Sequence, residues 1–227
     1  MLLKDRPKEL EKHYGLMLPK MCLNRYYVAE GVRNYSLETW KLVVQDKGIE
    51  LVQKYAKEIT EFYIVQGEAN NHAVREAACH CISEICSKVA IKNKEVFKPY
   101  VDKLLSCLID CFKDESWPVR DSACLSCGKF VKVFPEESES CKDELIKLWF
   151  DHLSDNINSV REHSAEAISD AIEAWPEEIE KKVIAELDSN LFKAKEQGEE
   201  STRFGNYKGA TKFSVVQMTE SIPTHED

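Results

Sequence analysis

No stretch of 18 consecutive apolar residues occurs in this sequence, so no segment reads as a membrane-spanning helix and no membrane partner is expected. No lysine or arginine run occurs either, and the formal net charge is −9. A groove for nucleic-acid phosphate is therefore disfavoured. Gly-rich phosphate loops, an H-E-x-x-H pair and a Ser/His/Asp order are all missing, which leaves no catalytic residue to assign. The six histidines, His13, His72, His80, His152, His163 and His225, fall into no ligand pattern, and no cofactor is expected. The opening MLLKDRPKELEKHYG turns charged after three residues, unlike a secretory leader. With nine cysteines, an odd number, it leads to the expectation of reduced thiols in the cytosol or nucleus.

What is present is a charge-rich chain of 227 residues, 43% hydrophobic and 31% charged, long enough to bury one continuous core. Its organising feature is a repeat. A Val-Arg pair stands at Val32/Arg33, Val74/Arg75, Val119/Arg120 and Val160/Arg161, at steps of 42, 45 and 41 residues. The flanks agree with it. Four residues after each valine comes Ser36, Ala78, Ala123 or Ser164; eight after, Trp40, Ile82, Cys127 or Ile168; eleven after, Val43, Ile85, Phe130 or Ala171. At about 100° per residue these offsets fall within an arc of roughly 80°, the apolar stripe of an amphipathic helix. Offset seven lies inside the arc and holds Thr39, Cys81, Ser126 and Ala167, small enough for a neighbouring helix to approach closely.

A Val-Arg pair opening a helix, Ala or Ser one turn on, an acid five before the valine (Asp114, Asp155), Pro118 just before Val119 and a period near 40 resemble HEAT repeats of the armadillo-type superfamily. The resemblance covers roughly residues 10 to 190. It is weakest in the first unit, where Tyr27 takes the aspartate position and Tyr26, Tyr35 and Trp40 add bulk. It implies an all-α fold, a right-handed α-solenoid of antiparallel helix pairs with about four and a half repeats. Units are expected at about 8–46, 47–92, 93–134 and 135–175, then a final helix at 176–197 and a flexible polar tail at 198–227. An array ending in an open helix is expected of a part of a longer array or complex, with an uncapped apolar face able to dimerise.

Within the units, outer helices are predicted at 8–23 with a kink at Pro19, from Ile49 to Tyr63, from Glu95 to Phe112 and from about Ser138 to Leu153. Inner helices are predicted at about 30–45, after the loop Gly67 to Asn71, from Pro118 and at 160–174, with Gly48 closing the first. Pro176 opens the fifth outer helix. Arg33, Arg75, Arg120 and Arg161 sit about 100° from the stripe. By analogy with the repeat class they are expected to form a structural ladder with loop aspartates such as Asp114 and Asp155.

The cysteines read as small buried side chains rather than as a zinc or redox site, although Cys124 and Cys127 make a C-x-x-C. Cys79 and Cys124, at one shared offset, are expected near each other on adjacent helices. HEAT-type enzymes that hold metal with His-Glu pairs are disfavoured, because only His225-Glu226 has that order and Glu162-His163 is reversed. Surface remains. Offsets near 2, 5, 6, 9 and 13 should face the concave groove, where Glu76, His80, Asp121, Glu162 and Glu166 make an acidic track for a protein partner. That partner is read as a basic or extended segment. The resemblance thus implies a non-enzymatic scaffold or adaptor, with a nuclear-transport-like receptor for basic cargo as the alternative.

Overall fold

A computed structural model describes residues 7–196; the tail predicted at 198–227 lies outside the described residues. Within them every regular element is helical, and no helix is long and apolar enough to cross a membrane. The first unit holds α1 (Pro7–Glu11), α2 (Tyr14–Asn24) and α3 (Glu30–Val44). The second holds α4 (Gly48–Lys54), α5 (Ala56–Gly67) and α6 (His72–Glu84), which runs on into a π-helical turn, Ile85–Ala90. Then follow α7 (Val101–Phe112) with α8 (Trp117–Val133), α9 (Lys142–His152) with α10 (Asn158–Ala174), and α11 (Pro176–Glu196). The chain is an α-helical solenoid of the HEAT/armadillo type.

The third outer helix starts at Val101 rather than Glu95, after 3-10 turns at Lys94–Val96 and Lys98–Tyr100, and three further boundaries differ from the predicted ones for local reasons. The first outer helix breaks at Lys12–His13, where the His13 amide turns back to the Leu10 carbonyl at 2.9 Å, and α2 runs unbroken through Pro19. Pro19 sits in the second turn, so it forfeits a single backbone bond near the helix start. The second outer helix breaks at Tyr55, φ −108° and ψ 28°, whose hydroxyl donates to the Glu11 carbonyl at 3.4 Å and whose ring meets Tyr14 edge-on at 6.2 Å. Tertiary contact there outweighs helical periodicity. Gly48 does not close α3 but opens α4; the chain reverses at Gln45 with φ 52° and ψ −123°, a backbone region that glycine normally supplies.

Burial follows the stripe in units three and four. Val119, Ala123, Cys127 and Phe130 on α8 and Val160, Ser164, Ala167 and Ala171 on α10 are fully enclosed, because α8 packs along its length between α6 and α10. The closest approach is at Gly128, where a methyl group would stand 2.7 Å from the Ala167 Cα. This corrects the expectation that offsets five and nine face the groove. Cys79 and Cys124 at offset five, and Gly128 at offset nine, are buried, since an inner helix flanked on both sides buries a wider arc than one apolar stripe.

The first unit is assembled differently. Helix α3 rests chiefly on α2 and makes no comparable contact with α6, while α2 itself packs on α5 and α6. Val32, the counterpart of the enclosed Val119 and Val160, is accordingly 38% exposed, as are Tyr35 and Leu42 to a greater degree.

The two glycines Gly128 and Gly31 separate packing from helix propensity. Gly128→Ala gains about 1 kcal/mol of propensity but overpacks a backbone contact that cannot retreat, at a cost of about 1–3 kcal/mol. Urea unfolding should show a net loss. Gly31→Ala, with nothing within 4 Å of the added methyl, should instead stabilise the chain by about 0.5–1 kcal/mol.

Candidate functional site

Two constellations arise from the repeat: a ladder that fixes the spacing of units, and a groove on the inner helices that the spacing creates. In the ladder, Arg75 Nε and Nη2 donate to both carboxylate oxygens of Asp114 at 2.7 and 2.9 Å, and Arg120 Nη2 donates to Asp155 at 3.3 Å. Each arginine thus reaches the aspartate of the following unit. Its Nη1 meanwhile donates to carbonyls of its own loop: Ala69 and Asn70 for Arg75, Asp114 and Glu115 for Arg120, Asp155 for Arg161, Tyr27 and Val28 for Arg33. Asp114 and Asp155 also accept the Ser116 and Ile157 amides at 2.8 and 2.9 Å, which shapes the turn into the next inner helix. Burial alone would raise the Asp114 carboxyl; Arg75 and the Ser116 amide hold it below its ordinary value.

The rung is missing between the first two units, because the position five before Val74 is Ala69. Arg33 keeps the carbonyls of its own loop, but the next loop offers it no aspartate at the position where Arg75 meets Asp114. Another pair spans that junction: Arg25, at the end of α2, donates through Nη1 and Nη2 to both oxygens of Glu84 on α6, at 3.3 and 2.5 Å. Sequence reasoning missed it because neither residue belongs to the repeat pattern.

The groove runs across the π-helical turn after α6 and the C-terminal halves of α8 and α10 and encloses about 650 Å³. Ile91 and Val133 give it apolar surface; Lys94 follows the π-helical turn, Lys129 and Lys132 stand on α8, and Glu166, Asp170 and Glu173 on α10. Its charges balance. Lys129 Nζ stands 3.4 Å from Glu166, and Lys132 Nζ stands 3.0 Å from Asp170 and 2.8 Å from Glu173, which raises the Lys132 ammonium above its ordinary value.

Of the five residues expected on an acidic track, Glu166 lies in this groove and the other four lie toward the N-terminal ends of the inner helices. Asp121 is engaged by His163 Nδ1 at 2.9 Å. His80 stacks on Tyr26 at 5.3 Å between ring centroids, shares a hydrogen bond with Ser122 at 3.2 Å and stands 3.9 Å from Glu76. Glu162 is exposed. The lysines were overlooked although offsets 10 and 13 contain them: Lys129 and Lys132 on α8 oppose Asp170 and Glu173 on α10 at the same two offsets.

The cysteines cluster by packing. The Cys124 thiol lies 3.3 Å from Ser164 Oγ, and the Cys107 and Cys111 thiols lie 3.9 and 3.6 Å from the Ile64 and Gly67 carbonyls. A methyl at Gly67 would stand 2.3 Å from Cys107 Sγ, so these thiols occupy the tight seam between α5 and α7. Among the described residues no group of three His, Cys, Asp or Glu side chains is placed to hold a metal ion.

Stacked helix pairs, loop-to-loop ion pairs and a groove on the inner helices define an α-helical repeat protein. A family model described as HEAT repeat matches residues 104–134, most of α7 and all of α8, so this helix pair is similar to a HEAT repeat. A search of the curated proteins finds no match to it.

The ladder makes stability depend on acid. Because the Asp114 carboxyl is held below its ordinary value of about 3.9, its contribution is complete above that pH and is lost as pH falls through the folded-state value. Asp114→Asn should cost about 1–3 kcal/mol at pH 7. In urea titrations the gap between variant and parent should narrow as pH falls below the ordinary aspartate value of about 3.9.

Proposed function

We propose that this chain is a non-enzymatic scaffold or adaptor of the cytosol or nucleus that receives an extended partner segment in the groove across α8, α10 and the π-helical turn after α6. The reading is carried by one observation: a concave strip of about 650 Å³ with apolar surface and charges of both signs, on the face that HEAT arrays turn toward ligands. Its ion pairs are open to solvent. Exposed pairs are worth only about 0–1 kcal/mol, so a partner's own charges can exchange with them at small cost. Basic side chains would lie over Glu162, Glu166 and Glu173, and an apolar one over Ile91 and Val133.

Spacing supplies the selectivity that net charge does not. Inner helices pack about 8–10 Å apart and an extended chain advances about 3.3 Å per residue, so groups three residues apart on the partner fall on successive helices. Nine free cysteines accord with a reducing compartment.

The test is capture from a cell extract by the full chain beside a variant carrying Glu166→Lys and Glu173→Lys, followed by titration of each recovered protein. Partners recognised in the groove should bind the variant at least about tenfold more weakly, a loss of roughly 1.4 kcal/mol, with circular dichroism and melting unchanged. Equal affinity for both chains would place recognition on the outer helices or loops and end this reading.

A further inference from the structure

A second concavity lies where the regular stacking fails. Because α3 does not pack along α6, a cavity of about 160 Å³ remains between α2, α3, α4, α5 and the π-helical turn after α6. Its walls are mainly apolar, with Ile49, Val52, Ile85 and Val89 around the Trp40 and Tyr63 rings. One charged cluster faces it. Arg25 and Glu84, 13% and 14% exposed, form the two-point pair described above; Lys88 Nζ stands 2.9 Å from Glu84, and the Arg25 guanidinium lies 4.7 Å from the Trp40 ring centroid. Two cations thus share one carboxylate, and Arg25 Nε is buried with no hydrogen-bond acceptor.

Two backbone irregularities border this cavity. The left-handed Gln45 turns the chain so that Gly48, Ile49 and Val52 cover it, and the π-helical turn sets Ile85, Lys88 and Val89 into its wall. Strained residues and π turns recur at functional sites. The cavity compares with the engineered space of about 150 Å³ that takes benzene, so its occupant is a ring or branched alkyl group of that size.

We propose that this cavity binds a small apolar carboxylate, the ring or branched body against Trp40, Val52 and Val89 and the carboxylate against the ammonium of Lys88. The excess positive charge of Arg25 and Lys88 over Glu84 selects an anion; the apolar walls and volume set its size. The site is separate from the proposed groove, and its test does not depend on that reading.

Benzoate is the probe, with benzyl alcohol as its uncharged counterpart, titrated into the full chain while backbone amide and indole resonances are followed. Benzoate should give saturable shifts concentrated on Cys22, Arg25, the Trp40 indole, Val52 and Val89, with half-saturation on the order of 1 mM, the range open to about nine heavy atoms. Lys88→Gln, at a side chain 66% exposed and so without cost to folding, should weaken that binding about threefold or more. Benzyl alcohol should bind at least about threefold more weakly than benzoate. No saturation by about 20 mM, shifts centred elsewhere, or equal responses to the two probes would overturn the proposal.

Discussion

One guanidinium in each regular unit holds two loops at a fixed distance, and the rest of the array is built on that spacing. Arg75 binds the Ala69 and Asn70 carbonyls behind it and the Asp114 carboxylate ahead of it, while Asp114 binds the Ser116 amide that starts the next inner helix. A loop, a helix start and a unit boundary are therefore set by one side-chain pair. The apolar stripe adds most of the stabilisation, since each fully buried aliphatic or aromatic side chain contributes about 1.5–3 kcal/mol. Yet the stripe is non-directional. The ladder decides the register in which one stripe meets the next, and with it the approach of Gly128 to Ala167.

Where the ladder lapses, the architecture changes with it. Ala69 offers Arg33 no carboxylate, α3 loses its regular seat on α6, and the junction is held by Arg25 and Glu84 instead. A buried pair of this kind gives back much of its attraction in desolvation. Its geometry matters more than its energy here, because it ties α2 to α6 and keeps open the space that a regularly stacked α3 would fill. Trp40, at the stripe position that holds Ile82 and Cys127 in the next two units, lies over Arg25 rather than in a helix seam.

How far the sequence could be read follows from which forces repeat. Helix pairs and the small-residue seam recur every 41 to 45 residues, and the loop aspartate stands in two successive units, so each copy supports the reading of the others. Features that occur once had no such support. The break at Tyr55 depends on Tyr14 and Glu11, more than forty residues upstream. The turn at Gln45 occupies backbone space that its residue type argues against. Groove residues were legible only in part, since Glu166 was placed by its offset while Lys129 and Lys132, in the last turns of α8, were passed over in favour of acids near the helix starts.

The lysines change what the surface means. A net charge of −9 suggests a face that attracts cations over a distance, but the groove carries three lysines against three acids and adds little to that field. Long-range attraction and local recognition are thus assigned to different places. Acids elsewhere on the surface would set the approach of the proposed basic partner, and salt screens that term over about 8–10 Å. The groove acts at contact, where opposed rows from α8 and α10 present cations and anions on neighbouring helices. A face built in that way discriminates by the order and interval of charges along a bound segment. Such discrimination depends on unit spacing, and so returns to the arginine of each regular unit.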